Sequence, residues 1–171
     1  MLTLFLCRHA KSSWDEPGLS DKERPLNPRG KIDALLMGKM LKNNDEKADL
    51  CISSPARRAL KTAKLIADEI NYSRNKIITE TRLYMADIDD FIEVIEEYGD
   101  KNGDNNKSIM LFSHNYGITE FANFISASEI DNIPTCGIVK IRFKCRQWKN
   151  IRKEKGKAEY FIYPKMYKHG I

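Results

Sequence analysis

The 171-residue sequence predicts an α/β fold of three layers, in which a mostly parallel sheet lies between two layers of helices. Residues 2–7 and 108–112 are short, almost continuously apolar runs, as is typical of parallel strands that are buried on both faces. Longer segments with apolar residues at helical spacing lie between the strand-like runs. Strands that alternate with helices in this way favour a sheet covered by helices on both sides.

Composition excludes several classes of protein. With 42% hydrophobic and 31% charged residues, the chain has the balance of a soluble globular protein rather than of a disordered one. No apolar run approaches the roughly 18–20 residues of a membrane span. The apolar N-terminus also lacks the basic start of a signal peptide. We therefore expect one domain over residues 1–171, located in the cytoplasm, with no membrane partner.

The cysteines carry no sign of a disulfide framework or of a zinc site. They are widely separated, with no Cys-x-x-Cys pair and no zinc-type spacing to histidine. In a cytoplasmic protein we expect reduced thiols and no bound metal. The four residues are Cys7, Cys51, Cys136 and Cys145.

The first two helices have clear start signals. A polar loop at 11–26 leads to a helix with Asn27 as its N-cap and Pro28 at its first position. After a strand at 49–52, Ser54-Pro55 is predicted to open the second helix by the same device. The first helix is predicted to bury Ile32, Leu35, Leu36 and Met40, and the second Ala59, Leu60, Ala63, Ile66, Ala67 and Ile70.

The second half of the chain repeats the alternation. Asp87 is the predicted N-cap of an acidic helix, and a loop rich in Gly, Asp and Asn follows it at 99–107. The apolar stripe of the acidic helix is Ile88, Phe91, Ile92 and Ile95, and that of the next helix is Ile118, Phe121, Ala122 and Ile125. Further strands are predicted at 76–79 and near 137–145 and 159–163.

Most of the excess positive charge lies in one segment, residues 140–157. It contains nine Lys or Arg residues and one acid, Glu154, so it contributes +8 and the rest of the chain −3 to the net charge of +5. Apolar residues at 141, 143 and 145 alternate with basic residues, as in a half-buried strand. The structural interpretation of this segment is a solvated hairpin, and the alternative is a surface that binds nucleic acid or an acidic partner.

Two of the three histidines stand where open α/β sheets bind their ligands. His9 and His114 each follow an apolar strand at its carboxyl end, whereas His169 lies in the C-terminal tail. Arg8 precedes His9, and two further arginines lie at 57–58, just inside the helix after the second strand. Guanidinium groups bind phosphate oxygens, and a helix start adds backbone N–H donors. Each residue alone also has a structural explanation, but together they predict a phosphoryl-transfer site.

The chemistry that this set supports is nucleophilic. A neutral imidazole of His9 attacks phosphorus and forms a phosphohistidine. Arg8 and Arg58 offset the charge on the phosphoryl oxygens, and His114, if protonated, does the same. Water then hydrolyses the intermediate. No metal or cofactor is required, because the chain itself supplies the cations.

Several longer motifs surround these residues. The segment LFLCRHAKSSW at 4–14 and the Ser-x-x-x-Arg-Ala-x-x-Thr-Ala pattern of SSPARRALKTA at 53–63 resemble the signatures of the histidine phosphatase superfamily. The segment SDKERPLNPRG at 20–30 is similar to the Asp-x-x-Arg-Pro-Leu-x-x-x-Gly motif of the SixA-type phosphohistidine phosphatases. The segments IPTCGIVKIRF and EYFIYPKMY look like the closing strands of that subgroup, so the resemblance covers nearly the whole chain in order.

The resemblance implies a phosphoglycerate mutase-like fold and assigns roles to particular residues. Arg8 and His9 are the signature pair, and His114 is the second histidine. The register from Ser54 makes Arg58, rather than Arg57, the second phosphate-binding arginine. Further candidates for substrate binding are Arg24, Ser13 and Asp87.

The sequence departs from the family pattern at two positions. Ala10 replaces the usual Gly, which is tolerable unless the backbone there needs a positive φ. The mutase and acid-phosphatase branches carry a Glu two residues after an Arg-Leu pair, and here Met85 takes that place. Asp87 is close by, but the capping of a helix explains it equally well. The absence of a firm general acid favours substrates whose leaving group departs easily, such as phosphoramidates.

The expected function is therefore metal-independent phosphohydrolysis of the SixA type, acting on a phosphorylated substrate such as a phosphohistidine-bearing signalling protein. A phosphatase of small phosphomonoesters is the nearest alternative. A cysteine-dependent phosphatase would use the Cys-x5-Arg spacing of Cys51 and Arg57, although CISSPAR lacks the glycine that such loops use. Two further alternatives are a nucleic-acid-binding protein that uses residues 140–157 and a phosphorelay carrier.

Overall fold

Strands and helices alternate along the chain in the computed structural model, which describes residues 1–101 and 106–168. The strands are β1 (Leu2–Arg8), β2 (Leu50–Ser53), β3 (Ile78–Thr79), β4 (Ser108–Ser113), β5 (Ile138–Phe143) and β6 (Lys157–Ile162). The α-helices of these residues are α1 (Pro28–Asn43), α2 (Arg57–Glu69), α3 (Ile88–Gly99) and α4 (Gly117–Ser126). His169 and part of the predicted loop at 99–107 lie outside the described residues.

The six strands form one sheet in the order β3-β2-β4-β1-β5-β6. Strands β1 to β4 pair in parallel, whereas β5 is antiparallel to both of its neighbours. The prediction of a mostly parallel sheet is confirmed. In the register of the sheet Arg8 pairs with Ser113, and Ser53 pairs with Phe112. The carboxyl ends of β1, β4 and β2 therefore meet at one edge, called the carboxyl edge below.

Two hydrophobic cores fill the space on the two faces of the sheet. Alternate residues of β1 point to opposite faces, so Leu4 and Leu6 join the core under α3 and α4, while Phe5 and Cys7 join the core under α1 and α2. All four side chains are fully buried. The layers are therefore helices, sheet and helices, and the predicted three-layer sandwich is confirmed.

The predicted apolar face of α1 is wrong. Ile32 and Leu35 are exposed, at 61% and 37% of their surface. A different stripe is buried, and it consists of Ala34, Met37, Gly38 and Leu41. Small residues decide the packing, because a Cβ on Gly38 would come within 2.9 Å of the Glu69 side chain on α2. The close approach of α1 to α2 therefore selects a face that hydrophobicity alone does not indicate.

The predicted start of α2 is also wrong. Ser54 still belongs to the sheet edge, since its N–H donates to the carbonyl of Phe112 at 2.9 Å, and the helix begins at Arg57. The Ser54 hydroxyl is therefore not a helix cap. Leu60 is only half-buried rather than inward-facing. β3 has two residues instead of four, because Arg74–Lys76 forms a 3-10 turn.

The basic segment at 140–157 lies away from the carboxyl edge. Phe143 at the end of β5 pairs with Leu2 at the start of β1. The alternation predicted for the segment is present, because residues 141, 143 and 145 are buried and residues 144 and 146 are exposed. Lys140 and Arg142 form ion pairs with Glu159. In the part of the chain that the structure describes, no helix is long and apolar enough to cross a membrane.

Candidate active site

Four predicted site residues meet at the carboxyl edge. Arg8 ends β1 and His9 follows it, His114 follows β4, and Arg58 is the second residue of α2. The imidazole centroids of His9 and His114 are 5.1 Å apart. Arg58 lies between the rings, with Nε 3.4 Å from Nε2 of His9 and Nη2 3.4 Å from Nδ1 of His114. The structure thus brings both histidines and both arginines to one place.

The tautomer of His9 follows from its hydrogen bonds. Nδ1 lies 2.7 Å from the carbonyl oxygen of Ala10, which can only accept, so Nδ1 carries the proton. Nε2 then keeps its lone pair and faces Arg58. Burial, more than any other factor, lowers the pKa of His9 to about 4; the hydrogen bond to Ala10 opposes this shift, and the charge of Arg58 adds to it. At neutral pH the imidazole is therefore uncharged and nucleophilic.

His114 has the opposite tautomer. Arg58 can only donate, so Nδ1 of His114 accepts, and Nε2–H donates to the hydroxyl of Ser54 at 2.7 Å. Burial first, and then the neighbouring His9 and Arg58, lower the pKa of His114 to about 3. The sequence-based mechanism allowed for a protonated His114. In this structure the ring is neutral at pH 7, and the positive charge of the site resides on its arginines.

Arg58 is oriented by Asp21, a residue to which the sequence analysis assigned no role. Nη1 of Arg58 donates to the backbone carbonyl of Asp21 at 2.5 Å, and Nη2 donates to its carboxylate at 2.9 Å. The carboxylate also accepts from the hydroxyl of Tyr84 at 2.5 Å. This hydrogen bond, followed by those from Arg58 and Arg24, holds the pKa of Asp21 at about 2. The sequence feature that could have identified Asp21 is its place as the first residue of the Asp-x-x-Arg-Pro-Leu motif.

Thr62 is a second residue that the sequence analysis left without a role. Its hydroxyl accepts a hydrogen bond from the N–H of Ala10 at 3.0 Å and donates to the carbonyl of Arg58 at 2.7 Å. The side chain is fully buried. It therefore ties the loop that carries His9 to the first turn of α2. The sequence feature that could have identified Thr62 is the Thr-Ala pair that ends the Ser-x-x-x-Arg-Ala-x-x-Thr-Ala pattern.

Arg8 has a donor that no described group satisfies. Its Nη1 donates to the carbonyl of Ile133 at 2.9 Å, which fixes the side chain beside the site. Its Nε is buried without a hydrogen-bond partner. Burial lowers the pKa of Arg8. An unsatisfied guanidinium N–H at this edge is suited to an anionic oxygen.

The three further candidates occupy different places. Arg24 is buried in the loop, where it donates to Ser12, to the carbonyl of Ser13 and to Asp21, and its guanidinium lies 3.2 Å from the Trp14 ring centroid. The Ser13 hydroxyl accepts from the N–H of Asp15. Asp87 is exposed and caps α3 through the N–H of Asp90. Their roles in binding substrate stay predictions.

The structure explains how Ala10 and Met85, the two departures from the family pattern, are accommodated. Ala10 is buried and is not among the residues with positive φ, so its backbone does not require glycine. Met85 has a positive φ of 56° and is 81% exposed. Its neighbour Tyr84 fills the space beside the site instead, with its ring edge-on to His114 at 5.4 Å.

Geometry excludes the cysteine-dependent alternative. Cys51 is fully buried within β2, and burial raises the pKa of its thiol to about 12. Arg57 is exposed on α2, so the two residues do not form a phosphate-binding loop. All four cysteines are buried free thiols. Among the described residues, no group of three or more His, Cys, Asp or Glu side chains is arranged to hold a metal.

Comparisons with known proteins identify the family of this chain. The sequence profile of the histidine phosphatase superfamily (branch 1) matches residues 4–108. The chain belongs to this superfamily of phosphatase enzymes. An uncharacterised chloroplastic protein of Arabidopsis thaliana is 28% identical over 158 residues, which cover 85% of this chain and 68% of the relative. A 2,3-bisphosphoglycerate-dependent phosphoglycerate mutase of Bartonella tribocorum is 34% identical over 83 residues, 47% of this chain and 40% of that enzyme.

The solved structures that resemble this chain share its fold at low sequence identity. The protein histidine phosphatase SixA, solved with tungstate, has a TM-score of 0.82 at 19% identity, with 98% of this chain and 100% of that chain covered. A SixA protein of Agrobacterium tumefaciens has a TM-score of 0.76 at 22% identity, with 95% and 98% covered. The phosphoglycerate mutase-like fold expected from the sequence is thereby confirmed.

Proposed function

We propose that this chain, as one domain over residues 1–171, is a metal-independent phosphohydrolase that acts through a phosphohistidine on His9. The observation that carries the proposal is the lone pair of His9 Nε2, which lies next to Arg58 and opposite the ring of His114. A neutral imidazole beside fixed cations is the arrangement that attack on a phosphoryl group needs. The two 3.4 Å contacts of Arg58 with the histidines are long, so phosphoryl oxygens can replace them at small cost.

The reaction has two steps. His9 Nε2 attacks phosphorus, and the electron pair of the breaking bond goes to the leaving group. Arg8 and Arg58 stabilise the equatorial oxygens, and a phosphoryl dianion beside His114 favours protonation of that ring. Water then attacks the phosphohistidine, which releases inorganic phosphate and restores neutral His9. Nδ1 keeps its proton on the Ala10 carbonyl throughout.

The leaving group is the basis for the proposed substrate class. Met85 stands where the related branches carry an acid, and its side chain extends into solvent. An alkyl phosphate needs a proton donor for its alkoxide, whereas the nitrogen of a protonated phosphoramidate departs as a neutral amine or imidazole. This favours phosphohistidine over small phosphomonoesters. The fold shared with SixA supports the same choice.

Exposed aromatic side chains on the loops beside the site support a protein partner. Trp14 and Tyr116 are 74% and 58% exposed, and they lie on the loops that follow β1 and β4. Exposed aromatic side chains of this kind are enriched in protein interfaces. The proposed substrate is thus a phosphohistidine-bearing signalling protein of the cytoplasm.

Adjacent arginines provide a matched test. With p-nitrophenyl phosphate, phosphoramidate and a phosphohistidine peptide as substrates, Arg58→Ala and His9→Ala should lose turnover by at least about a hundredfold. Arg57→Ala removes an equal charge one residue away and should retain it. Acid-labile labelling from a ³²P-labelled substrate should appear in the wild type and vanish in His9→Ala, and EDTA should change neither rate nor label.

Three results would overturn parts of this proposal. Turnover by His9→Ala at the wild-type rate would exclude the nucleophile. A sugar phosphate hydrolysed much faster than the phosphohistidine peptide would favour the phosphomonoester alternative. Salt-sensitive nucleic-acid binding without any turnover would favour a binding protein that uses residues 140–157.

A further inference from the structure

Asp21 is, among the described residues, the carboxylate that is hydrogen-bonded to Arg58 and Arg24. Its Oδ2 accepts from Arg58 and Tyr84, and its Oδ1 accepts from Arg24 at 3.2 Å. Nη2 of Arg58 contacts both this carboxylate and Nδ1 of His114. The carboxylate is therefore separated from the reacting centre by a single guanidinium group.

The carboxylate remains open to a substrate. The Asp21 side chain is 49% exposed, whereas those of Arg24 and Arg58 are 10% and 8% exposed. Oδ1 receives one hydrogen bond from the described residues, and a carboxylate oxygen can accept two. A group that enters from solvent can thus reach a free acceptor of Asp21 beside the arginines.

We propose that Asp21 determines the substrate class of the site by accepting a hydrogen bond from a cationic nitrogen leaving group, such as the free ring N–H of a phosphohistidine imidazolium. This proposal rests on the proposed function and deepens it. The carboxylate stabilises the protonated ring, which is the form whose P–N bond breaks readily. The fixed negative charge also disfavours a leaving group on which negative charge develops.

The step balances in charge and in protons. The substrate imidazolium carries a proton on one nitrogen and the phosphoryl group on the other. The bond from His9 Nε2 to phosphorus forms, and the electron pair of the P–N bond returns to the substrate ring. The substrate ring leaves as a neutral imidazole that keeps its proton, and that proton stays hydrogen-bonded to Asp21. The carboxylate gains and loses no proton.

An ester follows a different course at the same residue. Its leaving oxygen becomes negative as the P–O bond breaks, and an alkoxide leaving group also needs a proton from an acid. Asp21 cannot supply that proton at neutral pH, since its hydrogen bonds from Tyr84 and Arg58 hold its pKa at about 2. The same carboxylate therefore favours P–N cleavage and opposes P–O cleavage.

A purely positioning role for Asp21 predicts a different result. If the carboxylate only oriented Arg58, then its loss would slow both kinds of reaction by the same factor, because both need Arg58. The ratio of the two rates separates the two roles. Asp21→Asn is a suitable change, because it keeps the backbone carbonyl that accepts from Arg58 Nη1 and an amide oxygen close to the original acceptor.

The experiment measures kcat/KM of Asp21→Asn for N-phosphoimidazole and for p-nitrophenyl phosphate. We expect the ratio of the first value to the second to fall by about tenfold to a hundredfold, as for loss of one charge-assisted hydrogen bond in the transition state. Asp21→Glu should restore part of the ratio. Asp45→Asn, at the far end of α1, removes the same charge and should leave the ratio unchanged. Its positive φ of 54° suits Asn as well as Asp.

Failure of this inference differs from failure of the proposed function. An equal fall for both substrates, or no fall for either, would exclude Asp21 as the selecting group while the wild type still cleaves P–N bonds. A wild type that hydrolyses p-nitrophenyl phosphate but not N-phosphoimidazole would instead contradict the proposed substrate class. Thermal melting of Asp21→Asn verifies that the variant is folded under the assay conditions.

Discussion

The hydroxyl of Thr62 accepts a hydrogen bond from the backbone N–H of Ala10 at 3.0 Å, across 52 positions of sequence. The contact joins α2 to the loop that begins at the end of β1. Because the same hydroxyl donates to the carbonyl of Arg58, one buried side chain fixes the backbones next to the nucleophile and next to the phosphate-binding arginine. The relative position of these two groups thus depends on Thr62, which makes both hydrogen bonds.

Replacement of Thr62 by valine should therefore affect both stability and activity. Thr62→Val keeps the shape of the side chain but leaves the buried N–H of Ala10 without an acceptor, which costs about 1–3 kcal/mol. We also expect kcat/KM for p-nitrophenyl phosphate to fall by at least about tenfold, since Arg58 and His9 lose their common tie. Thr62→Ser retains the hydroxyl and should keep most of both quantities. Urea denaturation gives the free energy of unfolding, and steady-state kinetics gives kcat/KM. Equal values of both quantities for Thr62→Val and Thr62→Ser would contradict the proposed role of the hydroxyl.

The two site histidines should make the protein less stable in acid. The pKa of His9 is about 4 and that of His114 about 3, and both lie below the ordinary value of 6.5. At a pH between the folded pKa and 6.5, each histidine is therefore more protonated in the unfolded chain than in the folded chain. The free energy of unfolding should therefore fall as the pH decreases below about 6.5, by at most about 2.7 kcal/mol per pH unit for two sites. The slope should level off below about pH 3.

A double variant isolates this contribution from that of the carboxylates. His9→Gln with His114→Gln removes both titrating rings, so its free energy of unfolding should depend less on pH between 6.5 and 4 than that of the wild type. Chemical denaturation at several pH values gives both curves. Parallel curves for the two proteins would mean that the histidines are protonated normally in the folded state.

Cys51 should be dispensable for turnover. Its thiol is fully buried, with a pKa raised to about 12, and therefore stays protonated at neutral pH. Cys51→Ser should hydrolyse p-nitrophenyl phosphate at close to the wild-type rate, although a hydroxyl in the core should lower Tm. Near-complete loss of turnover in a folded variant would restore the cysteine mechanism.

Gly30 should be required for the loop that carries the site. A Cβ at this position would lie 2.1 Å from the backbone carbonyl of Lys11, two residues after His9. Gly30→Ala should cost about 1–3 kcal/mol of stability, because backbone atoms have to move apart. Gly18 offers a matched control in the same loop region, since a Cβ there meets no atom within 4 Å. Equal Tm values for Gly30→Ala and Gly18→Ala would contradict this account.

The sequence was informative where local patterns decide structure. Continuous apolar runs marked β1 and β4 because strands buried on both faces need no alternation. The N-cap of α1 was also correct, since the Asn27 side chain accepts from the N–H of Gly30 at 2.7 Å. The prediction that Ser54-Pro55 opens α2 was wrong because the same residue types occur both at sheet edges and at helix starts. The hydroxyl of Ser54 is hydrogen-bonded to His114 rather than capping the helix.

By itself, the sequence determined that His9 and His114 follow strand ends, because apolar runs and the polar residues after them can be read along the chain. Only the tertiary structure decided which face of α1 is buried, which groups orient Arg58, and that both histidines are neutral. The Asp21 carboxylate reaches Arg58 across 37 positions, and burial in the folded chain lowers the pKa values of both histidines. Such distances and desolvation arise only when the chain has folded, and so no local pattern encodes them.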